Sequence, residues 1–341
     1  MDSSAAIERI GIVGGGAWGT ALALTARRAG RAVVLWAREA DVVAAINRDH
    51  VNPLFLPDVP LDPAIRATQE LGEAAAADAL LLVVPAQHLR ALATAFAPHL
   101  PKGMPVVICT KGIEEKSGAL MSEIAAASLP DAAVAVLSGP TFAGEVASGL
   151  PTAVTLATTD AALGQRLIAA LGTRSFRPYL SDDTAGAEVG GAVKNVLAIA
   201  CGIVTGRKLG DNARAALITR GLAEMVRLAL AKGGRAETLM GLSGLGDLVL
   251  TCTGLQSRNH SLGVALGEGR ALGDILAERR SVAEGVTSAA AAAALARRLG
   301  VDMPITAAVE AILHHGAAVD QAIAALLARP FKSEAADSPG A

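Results

Sequence analysis

Ile10-Gly11-Ile12-Val13 runs into Gly14-Gly15-Gly16, and an alanine-rich segment from Thr20 to Gly30 follows at the spacing of a buried helix. This strand–turn–helix order constrains the chain more than any other feature. Within it Gly14, Gly16 and Gly19 form G-x-G-x-x-G, in the setting where that pattern has a mechanical meaning. Gly14 is expected to permit a tight turn, Gly16 to let the backbone approach a pyrophosphate, and Gly19 to let helix and strand pack closely. The helix N-terminus adds about half a positive charge and amides without intrahelical partners, so phosphates are expected there. The pattern points to dinucleotide binding. A glycine-rich turn in some other α/β protein is the plainer reading.

The rest of the composition suits such a turn. The 341 residues are 52% hydrophobic but only 2% aromatic, so the core must be built from Ala, Val, Leu and Ile, as in a parallel sheet covered by alanine-rich helices. The length allows two domains. A net charge of −2 and a pI of about 6.3 offer nucleic acid no electrostatic footing. Cys109, Cys201 and Cys252 are far apart without C-x-x-C, which suggests reduced thiols and neither a disulfide scaffold nor a metal site. Mean hydropathy is +0.44. The longest uncharged run, Ile10–Ala26, is broken by the glycine turn, so no integral membrane segment is expected. Met1-Asp2-Ser3-Ser4 lacks a basic region, so a secretory signal is not expected either. A cytoplasmic protein is the reading.

Residues 1–8 read as a tail and 9–184 as an alternating α/β domain. Its strands are expected at Ile10–Val13, Ala32–Trp36, Asp78–Val84, Val106–Thr110, Val134–Leu137 and Thr152–Ala157, with helices between them and a proline-rich loop over Asn52–Pro63. That rhythm predicts a Rossmann-type doubly wound parallel sheet with right-handed crossovers. Residues 185–330 contain helical patterns separated by glycines and no convincing strand, which predicts an all-α domain; 331–341 read as a second tail. The apolar helices of this half are compatible with a homodimer.

Chemistry can be placed at several points. Strand two ends in Ala37-Arg38-Glu39: Arg38 suits a 2′-phosphate and Glu39 a ribose hydroxyl, which favours NADP without excluding NAD. Lys111 and Gly112 follow a strand at the carboxyl edge of the sheet, where ligands of such sheets bind. Lys194 is the only charge between Glu188 and Arg207, on a helix otherwise suited to burial. Burial lowers an ammonium pKa from about 10.4, and a lysine tuned toward about 7–8 is a competent general acid. The plainer reading has Lys194 reach the surface from one edge of a core helix. Asn195 adds a neutral hydrogen-bonding group. Asp247 and Thr251 are spaced to share one helix face, although Asp247 also suits an N-cap. Ser257-Arg258-Asn259 opens a helix and suits a phosphate, or is an ordinary cap beside a solvated arginine. The histidines do not converge: His314 and His315 are adjacent, His260 is expected at the surface, and no metal motif is present.

Taken in series, these segments resemble the bacterial NAD(P)-dependent glycerol-3-phosphate dehydrogenase family. The matching pieces are Gly14–Thr20, Phe55-Leu56-Pro57, Thr110-Lys111-Gly112, Ser138-Gly139-Pro140-Thr141-Phe142-Ala143, Gly190–Asn195, Leu217–Gly221, Gly244–Leu248, Ser257-Arg258-Asn259 and Glu284-Gly285. The resemblance implies reversible reduction of dihydroxyacetone phosphate to sn-glycerol 3-phosphate, supplying glycerophospholipid synthesis. It implies Lys194 as proton donor and acceptor, with Lys111, Gly139, Thr141, Asn195, Asp247 and Thr251 around the substrate. Arg258 and Asn259 match the phosphate-binding pair, with Ser257 beside them. Gly14, Gly16, Ala17, Trp18, Gly19, Arg38, Lys111, Ala143, Arg258, Val282 and Glu284 fall on cofactor positions, with Ala17 where the family often has serine. On this reading the active site lies in a cleft between the two domains.

Two other readings remain open on the residues. One is a related two-domain dehydrogenase of another hydroxy or phospho substrate, although a hydroxyacyl type would want a His–Glu pair that these histidines do not offer. The other is a non-catalytic dinucleotide-sensing protein.

Overall fold

The computed structural model describes residues 6–278 and 283–331. The chain divides into two units: one runs to Lys111 and resumes from Met121 to Thr184, and the other takes Gly112–Leu120 and the chain from Ala185.

In the first unit the strands are β1 (Arg9–Val13), β2 (Ala32–Trp36), β3 (Val51–Asn52), β4 (Leu56–Pro60), β5 (Ile65–Thr68), β6 (Ala79–Leu82), β7 (Pro105–Ile108), β8 (Ala133–Ser138), β9 (Thr152–Ala157) and β10 (Phe176–Ser181). Between them lie α1 (Ala17–Arg28), α2 (Ala40–Asp49), α3 (Leu71–Ala75), α4 (Leu89–Phe96), α5 (Met121–Ser128), α6 (Ala143–Ala147) and α7 (Ala161–Leu171). One sheet of eight strands has the order β10-β9-β8-β7-β6-β1-β2-β5. The central β6 and β7 are buried along their whole length, which is why they read as continuous apolar runs.

The expected doubly wound sheet is present, with corrections. β9 runs antiparallel to β8, and β10 then runs parallel to β9, so the sheet is mixed at that end. β5 and β10, not foreseen, are its two edges. Both carry charge and β10 carries Pro178, a residue that strands accept at an edge. The loop expected over Asn52–Pro63 contains the antiparallel β3–β4 hairpin. Of the expected N-terminal tail, Ile7 is buried in the core and the Glu8 amide donates to Asp78. Most of the expected C-terminal tail, from Lys332, lies outside the described residues.

The second unit contains α8 (Thr184–Gly206), α9 (Asp211–Ala231), α10 (Ala236–Leu239), α11 (Asp247–Thr253), α12 (Arg258–Gly267), α13 (Leu272–Ala277), α14 (Glu284–Leu299), α15 (Pro304–His314) and α16 (Val319–Leu327). Leu242–Gly246 winds as a π-helical turn into α11. Gly112–Leu120, expected in the first domain, belongs here: Ile113 and Leu120 are part of this unit's core. Arg298 of α14 donates to the carbonyls of Ser117 and Gly118.

α8 organises this unit. It is long and apolar enough to cross a membrane, a property the uncharged-run reading passed over. Yet 89% of its most apolar stretch is buried inside the protein, as befits a core helix. Glycine lets other backbones reach it. A Cβ at Gly202 would stand 2.1 Å from the His260 carbonyl oxygen, and one at Gly206 would stand 2.3 Å from that of Val264, both on α12. A Cβ at Gly190 would stand 2.2 Å from the Ser243 oxygen of the π turn. α8 is therefore held against α12 and the π turn at backbone distance, and residues one turn from Gly190 are placed with little slack.

Candidate active site

In the first unit the three glycines differ in their surroundings. Gly14 has φ +128°, and a Cβ there would meet the Val83 carbonyl at 2.4 Å, so only glycine makes this turn. Gly19 has no room because a Cβ would fall 1.9 Å from the Gly14 oxygen; its close packing is against the turn itself. A Cβ at Gly16 would meet nothing within 4 Å, leaving the turn open on that side. α1 starts there without a capping side chain and without an acidic residue in its first turn. Its amides and dipole suit an anion. Trp18, one residue into α1, has its Nε1 buried with no hydrogen-bond partner among the described residues. These features fit a dinucleotide phosphate group.

Asn52, absent from the sequence-based site, also reaches this turn. Its side chain is fully buried and donates to the Gly15 carbonyl and to Thr20 Oγ1, both at 2.8 Å. Its place in a proline-rich stretch gave no sign of that. At the end of β2, Arg38 is 78% exposed and pairs with Glu39 at 2.9 Å. At the carboxyl edge of the sheet, Lys111 Nζ donates to the Gly139 carbonyl at 3.0 Å, and Thr141 Oγ1 donates to the same oxygen at 3.2 Å. Thr110 fastens the neighbouring strand ends by donating to the carbonyls of Leu82 and Val84. Ala143 opens α6. Lys111, Gly139 and Thr141 thus form one cluster, and the glycine turn a second.

In the second unit Lys194 lies one turn beyond Gly190, on the same face of α8. Its Nζ donates to Asp247 Oδ1 at 2.5 Å and to Thr251 Oγ1 at 3.0 Å. The Lys194 side chain is 8% exposed and that of Asp247 is fully buried. Lys194 is therefore inside the fold and does not reach out to solvent. The N-cap position of α11 is taken by Gly246 and Asp247 is the helix's first residue, so its place is not that of an N-cap, and its Oδ1 receives the ammonium. Thr251, one turn on, donates to the Asp247 carbonyl at 2.6 Å. An opposite charge within hydrogen-bond distance offsets the cost of burying an ammonium. A preformed, water-poor pair of this kind can hold and move a proton at Nζ.

Ser257 caps α12, its Oγ accepting from the His260 amide at 3.1 Å. Asn259 Oδ1 accepts from the Gly285 amide at 3.0 Å, which ties α12 to the start of α14 beside Glu284. A Cβ at Gly285 would also stand 2.8 Å from the Asn195 carbonyl. Asn195, Asn259 and Glu284-Gly285 are thereby neighbours. In Ser257 and Asn259 these bonds occupy acceptor atoms, and what the groups retain are donors, the complement of an anion. Arg258 is exposed at the first position of α12. His260 corrects its expected surface place: it is buried, 3.4 Å from Thr205 Oγ1, and burial together with Arg214 lowers its pKa. Val282, expected at the cofactor, lies outside the described residues.

Comparisons with known proteins identify the family. Residues 9–164 match the family described as NAD-dependent glycerol-3-phosphate dehydrogenase N-terminus, and residues 183–324 match its C-terminal counterpart. The chain is 62% identical over 329 residues to the NAD(P)+ glycerol-3-phosphate dehydrogenase of Rhodospirillum rubrum, covering 96% of this chain and 94% of the relative. It is 60% identical over 328 residues to that of Caulobacter vibrioides, covering 96% and 99%. The crystal structure of glycerol-3-phosphate dehydrogenase from Coxiella burnetii superimposes with a TM-score of 0.91 at 43% identity, covering 95% of this chain and 99% of that one. The chain belongs to the NAD-dependent glycerol-3-phosphate dehydrogenase family.

Proposed function

We propose that the protein catalyses the reversible NAD(P)H-dependent reduction of dihydroxyacetone phosphate to sn-glycerol 3-phosphate, with Lys194 as the group that gives and takes the proton. The observation that carries this reading is the buried contact of Lys194 with Asp247 and Thr251. Reduction of a ketone builds alkoxide charge on its oxygen, and a fixed cation nearby stabilises that charge. The Lys194 ammonium supplies the cation and then the proton, and in the reverse direction the amine accepts the proton. An arginine in its place would stabilise charge but not exchange the proton. Asp247 and Thr251 hold Nζ in one orientation, so little reorganisation is left for the reaction itself.

Arg258, with the hydroxyl of Ser257 and the amide nitrogen of Asn259, is assigned to the substrate phosphate at the start of α12. Lys111, Gly139, Thr141 and Asn195 are assigned to the substrate's polar groups. The glycine turn, Ala17, Trp18, Arg38, Ala143, Val282 and Glu284 are assigned to NAD(P), which supplies the hydride when bound. The division into a cofactor domain over 9–184, without the Gly112–Leu120 segment that packs in the second unit, and a catalytic domain over 185–330 is part of the same proposal, as are supply of glycerophospholipid synthesis and a cytoplasmic location. All three cysteines are free and buried, in keeping with a reducing compartment.

The test follows absorbance of the reduced nicotinamide with dihydroxyacetone phosphate present, comparing the natural chain with Lys194→Ala. The natural chain is expected to oxidise the cofactor. The variant is expected to bind it equally well while turnover falls by about 10²–10⁴. Turnover near normal in Lys194→Ala would overturn its role, and no oxidation by the natural chain would overturn the substrate.

A further inference from the structure

We infer that Asn52 is a positioning residue for the dinucleotide turn, acting on the direction in which the Gly16 amide points. The inference rests on the reading that the Gly14–Gly19 turn holds the cofactor pyrophosphate.

Asn52 lies at the end of β3, in a hairpin separate from the main sheet. Its Oδ1 accepts from the Phe55 amide at 3.2 Å, an Asx-type closure of the Asn52-Pro53-Leu54-Phe55 turn that aspartate would make equally well. Turn closure therefore leaves the choice of asparagine unexplained. The other end of the amide accounts for it. Nδ2 has two hydrogens and gives one to the Gly15 carbonyl and one to Thr20 Oγ1, each at 2.8 Å and 32 or more residues away. Thr20 Oγ1 in turn donates to the Gly16 carbonyl at 2.9 Å. Every polar atom of the fully buried Asn52 side chain is thus engaged.

The consequence follows from peptide planarity. No cis peptide occurs among the described residues, and in a planar trans peptide the carbonyl and the following N–H point in opposite directions. Tying the Gly15 carbonyl inward to Asn52 turns the Gly16 N–H outward. The Gly16 carbonyl, held by both Thr20 Oγ1 and the Thr20 amide, does the same for Ala17. The Gly14–Gly16 segment is unusually free to rotate because glycine tolerates both signs of φ. Without the tether the Gly15–Gly16 peptide can flip and present a carbonyl oxygen where a phosphate must sit.

The experiment uses the full chain and four variants, two at position 52 and two at its partner, position 20. Asn52→Ala removes the donors and the turn acceptor, whereas Asn52→Asp keeps the acceptor for Phe55 and removes only the donors. Both are expected to raise KM for NADH and for NADPH alike, by about tenfold or more. Binding of ADP-ribose, which carries the pyrophosphate without the nicotinamide, should weaken by a similar factor. At saturating cofactor, kcat and the KM of dihydroxyacetone phosphate should stay within about twofold, a split that general loosening of the fold does not produce. If Asn52→Ala does not fold, Thr20→Val carries the same expectation, and Thr20→Ser should restore binding. NADH, NADPH and ADP-ribose binding unchanged in Asn52→Asp or in Thr20→Val would overturn the inference. Absence of cofactor binding by the natural chain would instead overturn the dinucleotide reading on which it rests.

Discussion

Replacing Asp247 by asparagine separates the charge in the Lys194 contact from its shape. Asparagine keeps the size and one acceptor oxygen, so the packing of α11 against α8 is preserved. What is lost is the negative charge 2.5 Å from Nζ, in a place where neither side chain is more than 8% exposed. Removing one partner of a buried pair commonly costs about 3–5 kcal/mol, because the remaining charge is left uncompensated. Thr251 Oγ1 still faces Nζ at 3.0 Å, so we expect the lower end, about 3 kcal/mol. For a unit of this size that lowers Tm by about 6–12 °C. Lys194→Met combined with Asp247→Asn removes both charges and should recover most of the loss, since an apolar replacement of the whole pair is often neutral. Denaturant unfolding of the two single variants and the double variant gives the coupling directly. Turnover of Asp247→Asn should also fall, with cofactor binding retained. A loss below about 0.5 kcal/mol with no coupling would refute the argument, because it would mean that water reaches the pair and screens it.

The legibility of this fold followed the physics of each element. β1, β6 and β7 are buried on both faces, and burial on both faces leaves continuous apolar runs that need no neighbours to be recognised. β5 and β10 escaped notice because an edge strand has one side open to water and tolerates Arg66, Arg177 and Pro178. The direction of β9 could not be read at all, since its burial pattern matches that of β8 residue for residue. Gly112–Leu120 changed units because Ile113 and Leu120 find their partners far along the chain.

The site divides in the same way. Lys194 was visible because a lone charge on a long apolar helix violates the pattern around it. Asp247 was ambiguous, since a carboxylate after a glycine cluster looks like a cap; the π turn that precedes it depends on Gly190 admitting the Ser243 backbone. His260 reads as a solvent-facing side chain because nothing local reports the packing of α12 on α8. Asn52 was invisible for a related reason. Both acceptors of its amide nitrogen lie 32 or more residues away, and sequence patterns report local periodicity, not the destination of a hydrogen bond.

Two further outcomes can be checked. Arg38 is exposed and held by Glu39, a kind of pair that contributes little and exchanges partners readily. Arg38→Ser should therefore raise KM for NADPH by about tenfold and leave KM for NADH unchanged; equal changes for the two cofactors would show that Arg38 does not meet the 2′-phosphate. The second outcome concerns pH. Glu310 of α15 is buried and receives two bonds from Arg297 of α14, at 2.7 and 3.0 Å, and this pairing, against the opposing effect of burial, holds its carboxyl below the ordinary value of 4.5, with His315 adding to the shift. The native state thus binds this proton less tightly than the unfolded chain does. The stabilisation is complete above the ordinary glutamate range and is lost as pH falls through the depressed native value. Because Arg297 is 62% exposed, solvent screening limits the pair to about 1 kcal/mol. Glu310→Gln should lose about that much in denaturant unfolding at neutral pH. The difference from the natural chain should begin to narrow once pH drops below 4.5 and close only below the depressed native value, where the folded carboxyl is itself neutralised. A difference that instead widened in acid would mean that Glu310 stabilises the fold as a neutral acid, and that the Arg297 pairing is not what secures α14 to α15.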